Sequence, residues 1–287
     1  MSREDVLDKV RRLEKLPALP EVLQRILSLR EKDYSILNLE NIISKDPVVT
    51  AKVIKVANTL YFNPYGREVT SLKRAIELIG LQNLFSVVLS MVIPDLFPIE
   101  EDSFYKELFW KHSFVCAFIC KRLAKFCCNV DTDSAFTVGL LHDIGKLVLL
   151  IYFKEDYEEV LAYTKKGLPS YLAELRVFGV SHDEVGAVLL ETWGLPSVIS
   201  NAVRFHHNLV DGKNFDDITG LVHVANILTM LSGFSYNSGI LMVILDDDPA
   251  WRRFKGRIED PDYEIHKVFD DVIHAIDLAE ISWSREW

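Results

Sequence analysis

The stretch GLLHDIGKLVLL, residues 139–150, sets His142, Asp143 and Lys146 inside an apolar run that belongs in the interior of a protein. A buried ionisable group raises the energy of a fold unless it finds a partner. The chain is therefore confined to folds that bring other polar side chains, or an ion, to this one segment.

Apolar residues recur at helical spacing along almost the whole chain. No two alternating runs are joined by an Asn-Gly or Asp-Gly hairpin signal, so an all-α fold is expected. PEVLQRILSLRE follows the breaker LPALP, LENIISKD stops at Asp46-Pro47, and PVVTAKVIKVANTLYF starts with proline in its first turn. SLKRAIELIG ends on Gly80 and LQNLFSVVLSMVI runs to Pro94, which makes a first bundle of about five helices. A second group follows: SFYKELFWKHSFVCAFICKRLAKF, DSAFTVGLLHDIGKLVLLIYF, YEEVLAYTKKG, SHDEVGAVLLETWG and PSVISNAVRFHH. In the fourth of these, Ser181 and Glu184 have capping-box spacing and Gly194 marks the stop. DDDPAWRRFKGRIEDPDY reads as a charged surface loop before a last helix, EIHKVFDDVIHAIDLAEI. The expected division is 1–100 for the first helical part, 101–235 for the second and 236–287 for a C-terminal loop and helical extension.

With 287 residues and 49% hydrophobic content, the chain has enough apolar surface for a sizeable core. The longest apolar stretches are interrupted by Pro, Ser, Gly or Asn before they reach spanning length, so no membrane association and a cytoplasmic location are expected. The formal net charge is -10, and residues 1–100 hold 14 basic and 13 acidic side chains, which leaves no basic excess for DNA. AIELIGLQNLFSVV could be a helix-turn-helix, but with so few basic residues it reads as a plain helix connection. Cys116, Cys120, Cys127 and Cys128 lie too close together for a disulfide framework and read as reduced, packed thiols.

The histidines carry the functional signal. Of eight in the chain, none precedes residue 112, and His112, His142, His182, His206 and His207 fall in the second helical group. Side chains of adjacent helix residues diverge by about 100°, so His142 with Asp143, and His206 with His207, can each reach an ion lying beside the helix. Imidazole and carboxylate together suit Fe, Mn, Ni or Zn, one ion or two, with Asp143 as a bridge. Phosphoester hydrolysis is the chemistry such a cage serves, with Lys146 one turn beyond His142 placed to neutralise a phosphate oxygen. Each histidine taken alone is more readily a packed or surface residue. Cys116 and Cys120 continue the helical stripe of His112 and read as core residues.

The order His112, His142-Asp143, His182, His206-His207 resembles the HD superfamily of metal-dependent phosphohydrolases, with HDIGK and His182-x3-Gly186 as local signatures. LPALPEVLQRIL, IISKDPVVTAKVIKVANTLYFN and TSLKRAIELIGLQNLFSVVLS resemble the N-terminal half of the HDOD family, output-domain relatives of those enzymes. The resemblance implies a helical bundle of HD type preceded by an N-terminal helical subdomain, in a bacterial signalling protein that acts through protein partners. It implies that His112, His142, Asp143, His182, His206 and His207 stand at metal-ligand positions and Lys146 at a phosphate-contacting one, so that a phosphate or nucleotide ligand and a phosphodiesterase activity are the alternative expectation. The closing aspartate of the HD pattern is Asn226 here, a weak ligand and no base, and His223 one turn earlier is either a stand-in ligand or a surface residue. The stretch after the histidine pair is reduced to HHNLVDGKNF, which argues against a cyclic dinucleotide substrate.

Overall fold

The structure, a computed structural model, describes residues 2–12, 17–29, 33–97, 104–127, 130–209, 216–235, 244–269 and 272. These residues form helices and no strand. They divide into two compact units, one of residues 17–98 with 273–287, the other of residues 1–16 with 99–272.

In the first unit three of the helices begin at side-chain caps. The Ser35 hydroxyl accepts the Asn38 amide ahead of α3 (Ile36–Ile43), which follows α2 (Glu21–Leu27). Asp46 accepts the amides of Val48 and Val49 at the start of α4 (Pro47–Ala57), whose first residue is the proline that needs no amide partner. Ser71 caps α5 (Leu72–Ile79), and Gly80, at φ 79°, turns the chain into α6 (Leu81–Val92). The faces of these helices that carry Leu39, Ile43, Val53, Ile76, Ile79 and Leu84 are fully or almost fully buried.

The second unit opens with α1 (Arg3–Arg11), held by a capping box between Ser2 and Asp5. It continues as α7 (Phe104–Cys127), α8 (Thr132–Leu141), α9 (Ile144–Tyr152), α10 (Lys154–Thr164), α11 (Ser170–Phe178), α12 (His182–Thr192), α13 (Ser197–Phe205), α14 (Asp217–Leu231) and α15 (Pro249–Lys255). A further helical stretch covers 261–269. The segment 132–152 is long and apolar enough to cross a membrane, yet 83% of its most apolar window is buried inside the protein, as in a core helix.

Four readings of the sequence change. The single helix expected through GLLHDIGKLVLL is two helices, because Asp143, at φ -96° and ψ 3°, leaves the helical region. The apolar period runs through the break, so periodicity could not reveal it. Residues 246–263 are not all loop: Asp248 caps α15 and Pro249 is its first residue, while Trp251 and Phe254 anchor it in the core. Ser181 and Glu184 form no capping box, since the Ser181 hydroxyl donates to Asp183 and the Asp183 carboxylate takes the Glu184 amide. Helix α11, between Pro169 and the left-handed Gly179 at φ 68°, had not been anticipated. Cys128, residues 210–215 and most of the expected last helix lie outside the described residues.

Two glycines allow close helix approaches. A Cβ on Gly139 of α8 would lie 2.6 Å from the Cα of Ala117 on α7. A Cβ on Gly145 of α9 would run into the carbonyl oxygen of His182 and lie 2.6 Å from the amide nitrogen of Gly186 on α12. Only glycine permits α9 and α12 to cross this closely, and the crossing puts His182 beside Asp143.

Candidate metal centre

Helix ends build the site. His142 closes α8 and Asp143 precedes α9, His182 opens α12, and His206 and His207 follow the last residue of α13; among the five candidate histidines, His112 alone lies mid-helix, on α7. The carboxylate of Asp143 makes no cap bond to its own helix, which leaves it free for the site.

The structure brings together all six residues singled out as ligands. The ligand atoms of Asp143, His182, His206 and His207 lie within 4.8 Å of one another, and so do those of His112, His142 and Asp143. Asp143 belongs to both groups. Its Oδ1 lies 3.0 Å from His182 Nε2 and 3.9 Å from His206 Nε2, and its Oδ2 lies 3.5 Å from the Nε2 atoms of His112 and His142. Lys146 Nζ is 2.7 Å from Oδ2, so the lysine is paired with the ligand carboxylate itself. The side chains of His112, His142, Asp143, His182 and His206 are at most 1% exposed. His207 is half-buried, with its ring stacked on Tyr171 at 4.7 Å between centroids.

The far nitrogens of the rings are tied down. Nδ1 of His112 donates to the Phe234 carbonyl at 2.6 Å, that of His142 to Gly139 at 2.8 Å, and that of His206 to Val203 at 2.7 Å. Nδ1 of His182 donates to the Glu174 carboxylate at 2.6 Å. Rings held this way direct Nε2 inward, and each offers a lone pair there once that nitrogen is deprotonated, the arrangement by which outer partners orient metal-binding histidines. Nε2 of His112 and His142 are 3.2 Å apart, and Nε2 of His182 and His207 are 3.0 Å apart, so each pair needs a shared proton or a cation between. Nε2 of His206 is buried with no hydrogen-bond partner among the described residues. An orphaned, buried nitrogen beside a carboxylate is what a metal ion would satisfy, and the residues present fit one or two such ions.

Charge within the centre follows from burial and neighbours. Burial opposes ionisation of Asp143, yet His142, Lys146 and His182 hold its carboxyl well below the usual range. Burial also favours a neutral His182, but Glu174 and Asp143 lift it to about 9. Burial, only partly offset by Asp143, takes His112 down to about 4. Burial and the neighbouring imidazoles push His206 and His207 well below the ordinary histidine value.

Asn226 lies on α14, buried, and its Oδ1 has no partner among the described residues. His223 is neither a surface residue nor a member of the ligand groups. Its Nδ1 bonds the carbonyl of His206 at 2.7 Å and its Nε2 meets the Asp248 carboxylate at 2.9 Å, which secures the end of α13. Glu174 is the site residue that sequence reasoning missed. Its signal was a glutamate at an apolar-face position between Pro169 and Gly179, in a helix not anticipated.

Comparison with known proteins agrees with this architecture. A protein of Treponema pallidum (strain Nichols) with no described function is 25% identical over 206 residues, 69% of this chain, and the chain spans 39% of its length. An HDOD domain protein of unknown function from Geobacter sulfurreducens superposes with a TM-score of 0.80 at 24% identity, covering 98% of each chain. A candidate phosphohydrolase from Shewanella amazonensis SB2B does so with a TM-score of 0.72 at 21% identity, covering 96% of each. The HDOD domain model matches residues 16–209, a span that holds residues 17–98 of the first unit and all six of the His and Asp candidate ligands, and this chain belongs to the HDOD family.

Proposed function

We propose that this protein is a regulatory HDOD module of the bacterial cytoplasm that holds one or two transition-metal ions in a closed His/Asp centre and signals through contacts with a partner protein. The observation that carries the reading is the convergence of inward-facing imidazole nitrogens on a buried Asp143 whose charge is shared with Lys146. Structural metal sites are closed, whereas catalytic ones keep a coordination position open to substrate. Five of the six ligand side chains are sealed from solvent here, and the lysine that would steady a phosphate is already engaged. The neutral Asn226 at the closing position supports the same reading, because it cannot serve as a base.

The test is the metal content of untagged protein purified without added metal, beside Asp143→Ala. Near-stoichiometric Fe, Mn, Ni or Zn in the wild type, lost in the variant, is expected; metal-free wild type overturns the reading. A second reading, a metal-dependent phosphohydrolase, is favoured by one feature: Asp143 is shared between both ligand groups, as a bridging carboxylate would be. Bound metal would supply Lewis acidity toward a phosphoester. In that case His207, the half-buried ligand against Tyr171, marks the side on which substrate arrives. Metal-loaded protein inert toward bis(p-nitrophenyl) phosphate supports the first reading, and turnover abolished by Lys146→Met supports the second.

A further inference from the structure

Glu174 is fully buried on α11, and its carboxylate serves a single residue. Oε2 accepts the backbone N–H of His182 at 2.7 Å and the ring Nδ1–H of the same residue at 2.6 Å. Oε1 has no partner among the described residues. Satisfying an amide in the first turn of a helix does not call for a buried charge, because cap side chains or water do that on the surface. Capturing main chain and ring of one residue together does more. It removes the rotational freedom of the imidazole and aims Nε2 at Asp143 Oδ1 and His207 Nε2, each 3.0 Å away. The crossing at Gly145 and Gly186 fixes the backbone of His182, and Glu174 fixes its ring.

We propose that Glu174 is a positioning residue of the metal centre, a buried carboxylate that holds His182 as the Nδ1–H tautomer and strengthens Nε2 as a donor to the ion. The inference rests on the metal reading above. It adds a seventh residue, one that touches no ion itself and lies outside the ligand pattern. In Glu174→Gln the side-chain oxygen still accepts the Nδ1–H bond while the charge is gone, so the variant separates electrostatic support of a ligand from simple packing.

Cobalt(II) is the probe, titrated into metal-free full-length protein and followed by its visible bands. Glu174→Gln is expected to bind about 10- to 100-fold more weakly, with shifted bands, while Glu21→Gln on the exposed start of α2 matches the wild type. Equal affinity and identical bands in Glu174→Gln overturn the assignment of Glu174 and leave the metal reading standing. Wild-type protein that takes up no cobalt overturns both. If Glu174→Gln does not fold, the histidine ¹⁵N spectrum of zinc-loaded wild type decides: His182 protonated at Nδ1 supports the proposal, and protonation at Nε2 defeats it.

Discussion

The two units solve the problem of a helical core in different ways. Among the described residues 17–98, the buried polar side chains are Thr59, Asn63, Ser86 and Ser90, all uncharged. The part-buried Lys52 reaches the Met91 carbonyl and a largely exposed Asp95. In the second unit Asp143, Lys146, Glu174 and four histidines are buried where α7, α8, α9, α11, α12 and α13 meet. The first unit is explained by burial of apolar surface alone. The second is not, because buried charges are poor stabilisers compared with apolar packing. The proposed metal centre accounts for their presence.

That contrast can be broken most directly at its charges. Asp143→Ala leaves Lys146 buried without a carboxylate and is expected to lower stability by about 3–5 kcal/mol in urea unfolding. Lys52→Met in the first unit, which parts an ion pair with an exposed partner, is expected to change it by under about 1 kcal/mol. Equal effects would erase the distinction between the units.

Glycines give the next test. Gly145→Ala forces a methyl group against the backbone of His182 and Gly186, and about 3 kcal/mol of destabilisation with loss of bound metal is expected. Gly66→Ala in the first unit meets open space at φ 63° and is expected to cost about 1 kcal/mol through its backbone conformation alone.

Metal removal sharpens the comparison further. An ion present at a hundred times its dissociation constant stabilises by about 2.7 kcal/mol, so chelation should lower the thermal midpoint of the wild type and leave that of Asp143→Ala unchanged.

The smallest effect is in pH. His182 lifted to about 9 must release a proton when an ion takes its Nε2, so metal affinity should rise with pH until about 9. The expected slope is about tenfold, or about 1.4 kcal/mol, per pH unit. In the metal-free protein the sign is opposite. A raised histidine stabilises fully below about 6.5, its unfolded value, and that contribution fades as pH climbs through about 9. A flat affinity profile would show that no proton leaves His182 when the ion binds.

Much of the site was legible because its chemistry is local. HDIGK, the His206-His207 pair and the spacing of His182 to Gly186 name their residues without any knowledge of packing, and the fold class followed from period and breakers. Glu174 was not legible. It reaches His182 across the α11–α12 turn, and nothing in the residue type separates it from the surface glutamates of α10. The role of His223 is illegible for a related reason, since its partners are the carbonyl of His206, just past the end of α13, and Asp248, 25 residues along the chain.

The sequence by itself determined that the chain is helical, that its charged residues are out of place in an apolar segment, and which histidines could answer them. Those are properties of residue type and short-range spacing, which the chain carries before it folds. Tertiary structure alone decided that α8 and α9 part at Asp143 and that Gly145 lets α12 close on that break. Each of these depends on atoms brought within a few ångströms by residues distant in the chain, and no period in the sequence encodes such a contact.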